Sequence, residues 1–149
     1  MCIASFYTTE AGSSPCLHNI EGSKGIISSP RCDTITNCNW LITVSNNHSV
    51  FLTFTTFEFY YKGEDNLHKK TTQLQVWDGE NEYRTSLGIF YGTKRPFSLR
   101  SSGRHLFLRL TVVPDVILCN FQGSYISTST IGIVSKYVQS NIRVILINP

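Results

Sequence analysis

The sequence predicts an all-β domain, an antiparallel sandwich of seven to nine short strands, and three observations carry that reading. Valine, isoleucine and threonine, which suit a pleated, half-buried surface, fill 38 of the 149 positions. Alanine, the best helix former, occurs only as Ala4 and Ala11. From residue 25 onward, short apolar or alternating runs recur between turn signals. A chain of 149 residues buries one ordinary core, so one domain is expected.

Residues 1–15 are a polar lead-in ending in Gly12-Ser-Ser-Pro15, a composition expected to hold little order. The runs that follow are 25–28, 38–44, 50–57, 73–77, 87–91, 105–113 and 120–127. Alternation is clearest at 105–112, where Leu106, Leu108, Leu110 and Val112 fall on one face, and at Leu74 with Val76. Ser45-Asn-Asn-His48, Asp78-Gly79 and Ser102-Gly103 mark turns, with Asp78-Gly79 read as a tight hairpin. Residues 61–70 form the longest polar insertion and are expected to be an exposed loop. The tail, 128–149, is expected to be an extra strand or a linker; its 144–147 run is apolar without strict alternation. The domain proper is expected over 16–127.

A formal charge of +3 without a clustered Lys/Arg stripe argues against a nucleic-acid partner. No window reaches eighteen apolar residues, so no transmembrane helix is expected. The first residues lack the basic start and apolar stretch of a signal peptide, and the expectation is a partial sequence whose true start lies upstream.

Nine pieces stand in a characteristic order: Cys16, Gly25-Ile-Ile-Ser-Ser-Pro30, Cys38-Asn-Trp40, Phe51-Leu-Thr-Phe54 with Phe57, Leu74-Gln-Val-Trp-Asp-Gly79, Leu87-Gly-Ile-Phe-Tyr-Gly92, Leu99-Arg-Ser-Ser-Gly103, Leu106 to Leu110, and Phe121-Gln-Gly-Ser-Tyr125. In this order they resemble a CUB domain, from Cys16 to Tyr125. The resemblance implies a jellyroll-like sandwich of two antiparallel sheets, secreted or on an ectodomain, acting as a binding module. Trp40, Phe51, Phe54 and Phe57 are expected in the core, Trp40 as a large anchor beside a cysteine.

The resemblance also implies a bridge between Cys16 and Cys38. The family's second bridge is missing, because its two positions hold Lys69 and Tyr91. Cys32 with Cys119 is the candidate replacement. Five cysteines leave at least one without a partner in the chain, available for an intermolecular disulfide. Zinc is not expected, since no C-x2-C pair exists.

Many members of the resembled family hold calcium at one end of the sandwich. Here the three carboxylate places fall on Tyr60, Thr72 and about Val113, and a hard cation needs several charged oxygens, so no metal is expected. Glu58 and Asp115, each two residues from a lost place, are the only candidates for a displaced site.

No nucleophile-with-base motif, zinc-protease helix motif or glycine loop is present, and His18, His48, His68 and His105 fall in expected turns or strand ends. The chain is therefore expected not to be an enzyme and to need no cofactor. Asn47-His48-Ser49 is a glycosylation sequon in a turn, marking Asn47 as the candidate acceptor. Lys62, Lys69 and Lys70 in the polar insertion, and Lys94 and Arg95 with Arg100 and Arg104 near later turns, are the candidate binding cations. The function expected is a non-catalytic extracellular interaction module of a larger secreted, matrix or cell-surface protein, binding protein or glycan through loops. The alternatives are an accessory domain of an extracellular protease and a structural component of an extracellular matrix.

Overall fold

The computed structural model describes residues 16–32, 37–61, 72–113 and 116–130. The lead-in, most of the polar insertion and the tail beyond residue 130 lie outside the described residues. Nine strands follow in chain order: β1 (Cys16–Glu21), β2 (Lys24–Ser28), β3 (Asn37–Thr43), β4 (His48–Tyr61), β5 (Gln73–Asp78), β6 (Thr85–Phe90), β7 (Phe97–Arg100), β8 (His105–Thr111) and β9 (Val116–Ser129). They form a five-stranded sheet, β1-β3-β8-β5-β6, and a four-stranded sheet, β2-β9-β4-β7.

Burial follows the period of two. Leu106, Leu108 and Leu110 of β8, Leu74 and Val76 of β5, and Trp40 and Ile42 of β3 are all buried. From the facing sheet, β4 sends in Val50, Leu52 and Phe54, then Phe57 and Phe59. The phase change has a local cause. Pairing with β9 shifts between Phe54 and Thr56, so Thr55 is an extra residue whose hydroxyl donates to the Gln122 carbonyl. One bulge thus lets a 14-residue strand keep apolar side chains inward on both sides of it. Phe54 stacks on Phe97 at 4.9 Å, and Trp40 meets Phe121 edge-on at 5.3 Å.

Several expectations need correction. The sandwich is not wholly antiparallel: β1 runs parallel to β3 in the register Cys16↔Cys38 through Glu21↔Thr43. Its sequence, CLHNIE, has no alternation because it lies at a sheet edge and packs only Cys16 and Ile20 on the core. His18 is therefore a mid-strand residue, stacked on Trp40 at 5.6 Å, rather than a turn histidine. The short strand β7 was outside the seven runs, although Phe97 and Leu99 pack on the core. Phe51 is not a core residue; between inward Val50 and Leu52 it must face outward, and it is 36% exposed. Asp78-Gly79 opens a loop over residues 79–84 and not a tight hairpin, since β5 and β6 resume pairing only at Asp78↔Thr85. Finally, β9 extends the run expected over 120–127 at both ends, from Val116 to Ser129.

Candidate functional site

Binding residues of a sandwich concentrate at its ends, where strands turn and backbone leaves the ladders. The two ends are built differently. At the end that holds the β3–β4 turn, hydrogen bonds do the binding together. The Ser101 hydroxyl, in a buried residue, accepts from the Val50 N–H at 2.7 Å and donates to the Gly103 carbonyl at 2.6 Å. Arg104 donates to the Val44 carbonyl and to Asn46 Oδ1, and the Asp78 carboxylate accepts from the Ser102 N–H. Asn47 takes a positive φ of 60° at the turn, a conformation asparagine tolerates, and its carbonyl accepts both the N–H and the hydroxyl of Thr130. Its residue is exposed.

The opposite end carries both cross-links. Cys16 is bonded to Cys38 on neighbouring parallel strands, with Cα atoms 4.6 Å apart. Cys32 is bonded to Cys119 of β9, with Cα atoms 5.9 Å apart. The Cys16, His18 and Cys38 donor atoms lie within 4.8 Å of one another, but sulfurs joined as a disulfide offer no thiolate to a metal.

The three lost carboxylate places gather at this end. Thr72 is buried, and its hydroxyl accepts from the Val113 N–H at 3.2 Å. Tyr60 is 47% exposed and pairs across the ladder with Leu118. A hydroxyl already engaged by a backbone donor, an outward phenol and a valine do not fit calcium. Glu58 is half-buried opposite Asn120, and Asp115 lies outside the described residues.

Of the candidate cations, Lys62, Lys69 and Lys70 lie outside the described residues. Lys94 and Arg95 are exposed on the segment before β7, which the Lys94 N–H ties to the Phe57 carbonyl. The Lys94 ammonium sits 5.3 Å from the centre of the Tyr91 ring. Arg100 and Arg104 are not part of this group, because β7 and the turn before β8 place them at the hydrogen-bonded end.

Sequence reasoning missed a second aromatic cluster, on the outer face of the five-stranded sheet. Trp77 and Phe107 lie 5.6 Å apart, and the Arg109 guanidinium lies over both rings. Arg109 is held by Asn39 Oδ1 and by Glu82 at 3.1 Å. A backbone hydrogen bond, and then Arg109, lower the Glu82 carboxyl below its ordinary value; Arg84 does the same to Glu80. The rings are roofed, 7–8% exposed, and closed to a ligand. The signal was present, because Phe107 and Arg109 alternate with the inward leucines of β8.

Two sheets joined without a helix among the described residues, cross-linked by two disulfides, define a β-sandwich module of the kind that folds in an oxidising compartment. The chain belongs to the CUB domain family, whose model matches residues 16–125. Domains of this family are extracellular interaction modules, and the domain itself is non-catalytic. The chain is 31% identical to human tolloid-like protein 2 over 135 residues, which is 88% of this chain and 12% of that protein. It is 28% identical over 116 residues to the zinc metalloproteinase nas-39 of Caenorhabditis elegans, covering 75% of this chain and 12% of that one. The chain thus spans about an eighth of either relative's length. The solved CUB1-EGF-CUB2 domains of rat MASP-1 share the fold, with a TM-score of 0.59 and 17% identity over 75% of this chain and 42% of that one.

Proposed function

We propose that this chain is a module of a larger extracellular protein and binds a protein or glycan partner through basic loops, without calcium. The observation that carries the proposal is the cross-linked end of the sandwich. Where family members place carboxylates it has Tyr60, Thr72 and Val113, and beside β4 it exposes Lys94 and Arg95. The sequence after Tyr61 adds Lys62, Lys69 and Lys70. Charges at exposed positions steer an anionic partner and weaken with salt. The test is retention of the chain on immobilised heparin and on an immobilised acidic protein over a salt gradient. Reversing Lys94 and Arg95 to glutamate should move elution to lower salt. Retention that ignores both the reversal and the salt would overturn the proposal.

The similarity to nas-39 favours a second reading, an accessory module beside a catalytic domain; the complete reading frame decides it. Two modifications complete the proposal. Asn47 carries an N-glycan, attached before β4 pairs with β9, because Ser49 of the sequon is buried in the fold with its hydroxyl against Thr128. A glycosidase-sensitive mass shift, absent in Asn47→Gln, would show it. The two bridges use four of five cysteines, leaving Cys2 for an intermolecular disulfide. A non-reducing gel showing dimers that Cys2→Ser abolishes is the expected result, and monomer alone would contradict it.

A further inference from the structure

On the outward face of the four-stranded sheet, one cross-strand row can be traced through three ladders. Lys24 of β2 pairs with Ile126 of β9, Ile126 with Phe51 of β4, and Phe51 with Arg100 of β7. At about 4.8 Å per strand the row is about 14 Å long, with a cation at each end and apolar side chains between. Ile126 is 50% exposed and Phe51 36%, and Ile26, two residues along β2 from Lys24, is 70% exposed. These are large apolar groups left in water on neighbouring strands of one face.

Around this row the charge among the described residues has one sign. The sequences of β2, β7 and β9 contain no aspartate or glutamate, and β4 contains only Glu58. Glu58 stands seven residues from Phe51, about 23 Å away along an extended strand. Among the described residues no carboxylate pairs with Lys24 or Arg100; the ion pairs of Arg84 and Arg109 belong to the other sheet and its loop. The Arg100 Nε donates to the Ser49 hydroxyl at 3.1 Å, which fixes the side chain along the face.

We propose that this face docks an acidic segment of a partner protein, with carboxylates meeting Lys24 and Arg100 and an apolar side chain seated over Phe51 and Ile126. The row's chemistry selects that occupant. A second copy presenting the same face would bring cations against cations with no acid to neutralise them. A sulfated glycan rewards a dense run of cations and gains nothing from isoleucine and phenylalanine. A segment in extended conformation repeats its facing side chains every second residue, so acids four residues apart, about 13 Å, span the row with an apolar residue midway. The proposal rests on the reading of the chain as an interaction module, but not on the basic loop residues.

The probe is a short, fluorescently labelled synthetic peptide with glutamates four apart around a leucine, titrated into the full chain and followed by anisotropy. Binding should weaken about tenfold in Phe51→Ser and about tenfold in Lys24→Glu, as for an anchor and its flanking charge. Tyr83→Ser, in the loop of the other sheet, should leave it unchanged. Thermal melts of each variant check folding, and Ile126→Ser replaces Phe51→Ser if the latter unfolds. Amide shifts on peptide addition should centre on Ile26, Phe51 and Ile126. If Lys24→Glu weakens binding while Phe51→Ser and Ile126→Ser do not, or if a heparin fragment of equal charge displaces the peptide from both variants as from the parent chain, the face takes a polyanion and the proposal is overturned. If only reversal of Lys94 and Arg95 abolishes binding, the loop reading stands and this inference falls.

Discussion

The two ends of the sandwich solve the same problem with different chemistry. At one end the Ser101 hydroxyl and the Asp78 carboxylate accept from backbone N–H groups, and Arg104 and Thr130 donate to backbone carbonyls, tying together the turns after β3 and β7 and the residue after β9. The other ties β1 to β3 and the segment after β2 to β9 with disulfides, and there the Val113 N–H donates to the Thr72 hydroxyl where a metal-binding relative would need carboxylates. The difference teaches that the two ends close by different means, one by hydrogen bonds to backbone and the other by cross-links beside Tyr60, Thr72 and Val113. Fewer oxygen ligands are then left to hold a cation, and the end is open to other side chains.

Breaking the covalent end should have the largest effect. In the chain-entropy account, removing the Cys32–Cys119 bridge, with a sequence separation of 87, costs about 4.5 kcal/mol, and removing Cys16–Cys38, with a separation of 22, costs about 3.4 kcal/mol. Urea unfolding of Cys32→Ala/Cys119→Ala and of Cys16→Ala/Cys38→Ala should therefore rank in that order. Equal stability of the parent chain and the first variant would show that the long-range bridge contributes nothing to this end.

At the hydrogen-bonded end the unit of loss is smaller. Ser101→Ala leaves the buried Val50 N–H without its partner and should cost about 1–3 kcal/mol in the same urea experiment. A loss under about 0.5 kcal/mol would mean that water replaces the hydroxyl and that the end is not built as described.

Tyr125 tests this end from the other side, since it lies near it without sharing its hydrogen bonds. Gly25 leaves room for the ring: a Cβ there would stand 2.6 Å from it. The Tyr125 hydroxyl is buried and has no hydrogen-bond partner among the described residues. Tyr125→Phe should then be neutral or slightly stabilising, because the lost group was desolvated without a bond. Burial also raises the Tyr125 pKa above its ordinary value, since the fold favours the neutral phenol. The associated stability is fully present below the unfolded value of about 10 and is lost as pH rises through the folded one. The parent chain should lose more stability than Tyr125→Phe between about pH 9 and pH 11. Parallel pH profiles would contradict this.

Much of the interior was legible because burial on one face writes a period of two into β3, β5 and β8. The five-stranded sheet was harder to read at its edge: β1 has no alternation, since an edge strand with little buried surface is not constrained to show any. The bulge at Thr55 breaks the period inside β4, and Phe51 reads as core by its residue type although its phase turns it outward. Of the sites, the residue types of Tyr60, Thr72 and Val113 are plain in the sequence, but the hydrogen bond from the Val113 N–H to Thr72 depends on how β5 meets β8. The row across the four-stranded sheet could not, because Lys24, Ile126, Phe51 and Arg100 are neighbours only through ladders whose register no local pattern specifies.

The smallest expected effect is the most direct test of the central claim, that the cross-linked end works without a metal. The measurement is the melting temperature of the full chain in millimolar calcium and in chelator. The account predicts superimposable melts, because a buried threonine hydroxyl bonded to the Val113 N–H and an outward Tyr60 offer calcium no charged oxygen. A cation bound only by the folded state at a hundred times its dissociation constant would add about 2.7 kcal/mol. A rise of several degrees in calcium that disappears in Glu58→Gln would contradict the account and make Glu58 a displaced ligand.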